Sequence, residues 1–200
     1  RSTLHAAFSS ESVHGCRPFA SLEFQPRWRI NFPATADEYW KTFSSRSLSK
    51  FRRSLKKFGT TRLERITSIE QLPDFLRAAH EVSKVSWQSR QFGLRIMNDE
   101  VELRQMSILA QHGFLRSYLW WIEGRPAGFA ICTQHRGCFR YEEIAHSQEF
   151  AQFSPGRVML QQIVEDLYRD NPPCTFDFGG GDAEYKRQFA NSESRSGSVW

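Results

Sequence analysis

The chain has 200 residues, enough for one sizeable core or for one domain with an appendage. Its 17 Phe, 6 Trp and 5 Tyr exclude a disordered polymer, and no apolar run approaches the length of a membrane span. The formal charge of +5, with a pI near 9.2, suits phosphate-bearing partners such as nucleotides, coenzymes, RNA or a membrane surface, without choosing among them. The four cysteines (Cys16, Cys132, Cys138, Cys174) form no C-x-x-C pair and have no histidine at metal-ligand spacing. They read as reduced, half-buried core thiols of a cytoplasmic protein that binds no metal. Cys132 and Cys138 flank a turn and could be cross-strand neighbours. No signal peptide is visible.

In chain order, "ASLEFQPRWRINF" alternates like a strand and Pro33 closes it. Residues 1–33 read as the tail of a preceding element, and 34–200 as the main domain. An initial Arg and a final Trp200 after "SESRSGS" fit a piece of a longer polypeptide. From Ala36 to Phe58 the pattern is helical. Trp40, Phe43, Leu48, Phe51, Leu55 and Phe58 share a stripe, and Arg46, Lys50, Arg53 and Lys57 recur on the other side. Arg52 and Lys56 complete the basic run 46–57. Gly59 stands where a helix commonly ends. "TRLERIT" predicts a short strand. A helix is expected from Ser68 to about Arg90, and another capped by Asn98 with Gly113 beyond its end.

"FLRSYLWWI", "AGFAICT" and "CFRYEEIA" are strand-like runs separated by "EGRP" and "QHRG", which predicts consecutive hairpins. A helix at 155–168, a buried strand "CTFDF", a "GGGD" turn and a short helix "AEYKRQFA" follow. A helix between two strands argues for a parallel pair. The fold class is therefore α/β in the mixed sense: an antiparallel meander, then a parallel β-α-β unit, with helices on both faces.

Two segments carry candidate chemistry. "FSPGRV" offers Ser154 as cap, Pro155 at the first helical position and Gly156 without a side chain. The N–H groups of Gly156, Arg157 and Val158 are expected to lack partners inside the helix, and Arg157 adds a full charge, so the turn could hold a pyrophosphate. An ordinary capped helix would read the same way. In "TFDFGGGDAEYKRQF", consecutive glycines allow close approach of a ligand, and Asp177 lies among aromatics where an acid is costly unless paired. Gly179, Asp182 and Lys186 are candidates to bind substrate, and Tyr185 follows within a helical turn. The alternative is an Asp-capped turn with Lys186 as a solvated charge.

The "SPG" turn, followed about twenty residues later by "FDFGGGDAEYKRQF", resembles the GNAT-like acetyltransferase domain of the CelD and FemAB-related group. "WKTFSSRSLSKFRRSLKKF" is similar to that group's basic helix, and "EGRPAGFAI" to one of its hairpins. The likeness spans roughly 34–190. Ala145–His146–Ser147 departs from the usual glycine-aromatic-acid stretch, and Phe153 replaces a common Tyr. The resemblance implies a GNAT fold and an acyltransferase with acetyl-CoA, or another acyl-CoA, as donor substrate. The thioester would lie between splayed strands 138–145 and 174–178, with the pyrophosphate at Ser154 to Val158.

Transfer to an amine needs a proton acceptor, an acid for the thiolate and donors to the oxyanion. Glu142 and Glu143 lie on opposite faces of one strand, so at most one points into the cleft. Either one serves as the candidate base, and Tyr185 as the candidate acid; solvent-facing carboxylates and a packed ring are the alternatives. His146 is a lesser base candidate. The acceptor expected is a small-molecule or envelope-precursor amine, such as an amino sugar. Related FemAB-type enzymes use aminoacyl-tRNA, and the basic run 46–57 would suit RNA. A GNAT-shaped binding module without catalysis is a further reading.

Overall fold

A computed structural model describes residues 24–197. Cys16 lies outside them. The meander is β3 (Ser117–Ile122), β4 (Arg125–His135) and β5 (Cys138–His146). Its hairpins turn on Glu123–Gly124 and Arg136–Gly137, all four residues with positive φ. That is the type I′ turn whose twist matches paired strands. β2 (Thr61–Ile66) runs antiparallel to β3, and β6 (Thr175–Gly180) pairs parallel with β5. With β1 (Gln25–Asn31) and β7 (Ser192–Ser196), the order across the sheet is β2-β3-β4-β5-β6-β1-β7. The mixed α/β class and the parallel pair are as expected. Residues 25–31, set apart from 34–200 in the sequence, lie between β6 and β7. The polar edge strand β7 carries no apolar alternation and was invisible to pattern reading.

The helical stretch 36–58 is two helices, α1 (Ala36–Lys41) and α2 (Ser45–Lys56). Ser44 restarts the chain by accepting the Ser47 N–H. The stretch from Ser68 is a 3₁₀ turn, then α3 (Leu72–Lys84) and α4 (Trp87–Phe92), broken where the Ser86 hydroxyl donates to the Ser83 carbonyl and accepts the Ser89 N–H. α5 (Glu100–Gln111) is capped by Asp99, not by Asn98. Asp99 accepts the Glu102 N–H at 2.9 Å, while Asn98 adopts φ +56°.

α6 (Pro155–Arg169) carries the expected stripe. Val158, Met159, Ile163, Val164 and Leu167 are buried, each contributing about 1.5–3 kcal/mol relative to exposure. With α1, α2 and α7 (Glu184–Phe189) it covers one sheet face through Tyr39, Phe51, Phe58 and Phe189. α3 and α5 cover the other, over Phe75, Leu76, Leu119 and Phe129. Cys132 and Cys138 are not neighbours: Cys132 pairs with Tyr141, and Cys138 with His135 across the turn. Cys132 is buried, Cys138 half-buried and Cys174 exposed, all as free thiols. No helix among the described residues is long and apolar enough to cross a membrane.

Candidate active site

β5 and β6 pair only through Cys138–Thr175, Phe139–Phe176 and Arg140–Asp177. Beyond these residues β5 stays with β4 as far as His146, and β6 stays with β1 as far as Gly180. Two irregularities separate them. Glu142 is an extra residue in β5, because Ile131 pairs with Glu143 while Cys132 pairs with Tyr141, and β1 shifts register between Arg27 and Arg29. Bulges bend and twist the strands that carry them. The facing edges part and leave backbone groups without a strand partner. Two hollows of about 320 and 310 Å³ open there, sharing Tyr141, Ile144 and Tyr185 as a common wall.

The first hollow is edged by the α6 N-terminus, and there the geometry corrects the sequence reading in two respects. Ser154 adopts a left-handed conformation (φ +59°), and its side chain caps nothing. Its carbonyl turns into the helix and accepts the N–H groups of Arg157 (3.2 Å) and Val158 (3.4 Å). Of the three amides expected to be free, only that of Gly156 has no backbone acceptor among the described residues. Val158 packs in the core, and Pro155 is buried at the wall of the hollow. The Arg157 guanidinium crosses the mouth to Glu184 (2.6 Å) on α7.

His146 shares this hollow. A Cβ on Gly156 would come within 3.4 Å of its Cδ2, so the glycine also makes room for the ring. Its Nδ1 lies 3.3 Å from the Ser147 carbonyl, which can only accept, so Nδ1 carries the proton and Nε2 the lone pair. Burial pushes the imidazole below its ordinary pKa, against a smaller opposite effect of that carbonyl.

The second hollow holds most of the charged candidates. Arg27 Nε donates to both oxygens of Asp177 (3.0 and 2.8 Å), Arg29 Nε to one (3.3 Å), and the Gly179 N–H to the other (2.8 Å). Burial acts to raise the Asp177 pKa, but these donors prevail and hold the carboxyl below its usual range. Asp177 is thus a latch between β6 and β1. Gly179, at φ +71°, folds the backbone back onto it. Asp182 is engaged in the same way, accepting from Trp28 Nε1 (3.1 Å) and Arg187 (3.0 Å).

Lys186 is not a solvated charge. It is 9% exposed, its Nζ donates to the Gly180 carbonyl at 2.7 Å, and burial pulls its pKa down. Arg140 also lines this hollow. Burial raises the Tyr185 phenol to about 12, so it stays protonated. Glu142 lies in this hollow and accepts from Thr133 Oγ1 (3.2 Å). Glu143 lines neither hollow: its carboxylate pairs with Arg95 at 3.1 and 2.7 Å. Arg27 escaped sequence reading because its segment was assigned elsewhere, and Arg140 because one exposed strand arginine carries no signal. No group of three or more His, Cys, Asp or Glu among the described residues could hold a metal ion.

Comparison with family models matches residues 43–187 to the acetyltransferase (GNAT) domain. The chain belongs to the GNAT acetyltransferase domain family. Among solved structures, FemX shares 15% identity with this GNAT chain at TM-score 0.64, covering 88% of it and 62% of FemX. The C-terminal DUF2156 domain of a proposed lysylphosphatidylglycerol synthetase from Agrobacterium fabrum shares 14% at TM-score 0.61, covering 92% of this chain and 61% of its own. L-PGS from Bacillus licheniformis shares 14% at 0.51, covering 84% and 48%. These likenesses are of fold, and the family match bears out the GNAT resemblance. The chain spans about three fifths of the first two structures. A search of curated proteins finds no match.

Proposed function

We propose that this chain is an acyl-CoA-dependent N-acyltransferase, with the donor in the hollow beside α6 and the amine acceptor in the hollow beside Asp177. The observation that carries the reading is the parting of β5 from β6 beyond Arg140 and Asp177, with a common wall between the two hollows. Unpaired backbone groups along β5 can pair with the donor's amides, and an N–H there can polarise the thioester carbonyl. The donor pyrophosphate fits at Gly156, where the free amide and the helix dipole favour an anion. Arg157 reaches it by releasing Glu184, and Ser154 from its half-buried turn at the edge of the hollow. His146 Nε2 can accept a pantetheine amide N–H.

In the reaction the amine nitrogen attacks the thioester carbon, the C–N bond forms and the C–S bond breaks. Glu142, which lines the acceptor hollow and makes no ion pair among the described residues, takes the amine proton directly or through water. Tyr185, protonated at neutral pH, gives its proton to the departing thiolate. Lys186 and Arg140 supply positive charge on the acceptor side. Acceptors of this reading are amino sugars or other amines of envelope and polysaccharide precursors, and the donor sets the reaction in the cytoplasm.

A second reading, an aminoacyl-tRNA-dependent transferase or an RNA-binding module, draws on α2. Its exposed cations Arg46, Lys50, Arg52, Arg53, Lys56 and Lys57 show no acidic partner among the described residues. Calorimetric titration with acetyl-CoA separates the two. Binding that Gly156→Glu abolishes, with the fold intact by circular dichroism, supports the acyl-CoA reading. No binding of acetyl-CoA, alongside salt-sensitive RNA binding, replaces it with the second.

A further inference from the structure

We infer that the C-terminal end of α2, with Lys57 and Arg53 as its cations, is the subsite for the ribose 3′-phosphate of the coenzyme A donor. This rests on the donor site proposed above. Three observations converge on that end of the helix. Phe58, directly after Lys57, packs edge-on against Phe150 (6.0 Å) and Phe153 (5.8 Å), and both rings belong to the 3₁₀ turn that leads into Ser154. The Lys57 ammonium stands 5.4 Å from the centre of the Phe153 ring, one residue before the turn that edges the donor hollow. α2 also packs against α6, the helix that this turn opens.

Arg53 and Lys57 stand in the last turn and at the C-cap, where cations complement the helix dipole. Arg46 and Lys50 in the first half, with no acid in the first turn, exceed what the dipole accounts for. Arg53 lies one turn before Lys57, on the same side of the helix, where the two can grip one phosphate. Arg53 Nε donates to the Ser49 carbonyl (3.4 Å), and among the described residues its terminal amino groups have no acidic partner, which leaves them for a ligand. The Phe153 ring supplies an apolar face for the adenine.

The test compares coenzyme A with 3′-dephospho-coenzyme A by calorimetry on the whole chain, for the wild type and for a Lys57→Gln/Arg53→Gln variant. Both substitutions are exposed and keep much of each side chain's length, so the fold survives them. The wild type is expected to bind coenzyme A about 5- to 30-fold more tightly, as one or two exposed ion pairs of ~1 kcal/mol would give. That preference is expected to fall to about onefold in the variant and to shrink at high salt. Equal affinities in the wild type overturn the subsite and leave the donor reading standing, as does a preference that survives in the variant. If neither ligand binds the wild type, the donor reading falls and the subsite falls with it.

Discussion

Asp177→Ala separates a latch from a substrate contact. The carboxylate is 5% exposed and accepts from Arg27, Arg29 and the Gly179 amide, joining β6 to β1 where β6 leaves β5. Truncating a fully buried pair costs about 3–5 kcal/mol. Here Arg27 and Arg29 keep 31% and 36% of their side chains in water, so the stranded guanidinium groups are partly rehydrated. A discounted loss of about 2–3 kcal/mol follows from the charged hydrogen bonds. For a domain of this size that is a fall of roughly 4–12 °C in Tm.

The pH dependence gives the mechanism a signature. The native carboxyl titrates below its unfolded value near 3.9, so its stabilisation is complete above that value and is lost as pH falls through the native one. Scanning calorimetry from pH 7 to pH 3 should show the gap between wild type and variant at full size near neutrality, shrinking below about pH 4. A variant with unchanged Tm at pH 7, whose only defect is a raised KM for an amine, would refute the latch. So would a gap that stays constant into acid.

Glu142→Gln is expected to lower kcat by about 100-fold or more with KM little changed. An unaltered kcat would move the base elsewhere. His146, half-buried and with its pKa lowered in the fold, takes up a proton more readily when unfolded, so stability should decline as pH drops below about 6.5. The slope attributable to one such group is at most about 1.4 kcal/mol per pH unit, and His146→Asn should flatten the Tm–pH curve between pH 7.5 and 5.5. Equal slopes in both proteins would show that the imidazole titrates alike in the folded and unfolded chains.

Much of the fold was legible because its signals are local. The α6 stripe, the positive-φ hairpin turns and the "CTFDF" strand each occupy a short window whose periodicity or turn chemistry identifies them. Helix ends were less legible. Ser44 and Ser86 interrupt stretches of continuous apolar spacing, and Asp99 rather than Asn98 has the extended backbone that lets a side chain reach back to an amide.

Of the residues that the sequence put forward, several edge the two hollows and others are engaged elsewhere, Glu143 with Arg95 and Val158 in the core. Tyr185 and Gly156 do line the first hollow, and Asp177 and Lys186 the second. Some partners lie far along the chain, 27 positions for Glu184 on Arg157 and 154 for Trp28 on Asp182, while Lys186 binds the nearby Gly180 carbonyl. Composition and spacing by themselves determined that this chain folds as an antiparallel meander followed by a parallel unit, with a side-chain-free turn before its crossover helix. Only the tertiary structure decided that β1 enters the sheet beside β6, that a bulge at Glu142 parts the strands, and that the Ser154 carbonyl satisfies two of the amides at the turn. Those outcomes follow from pairings between distant segments, whose energies are set by register and burial after collapse and leave no periodic trace in either partner alone.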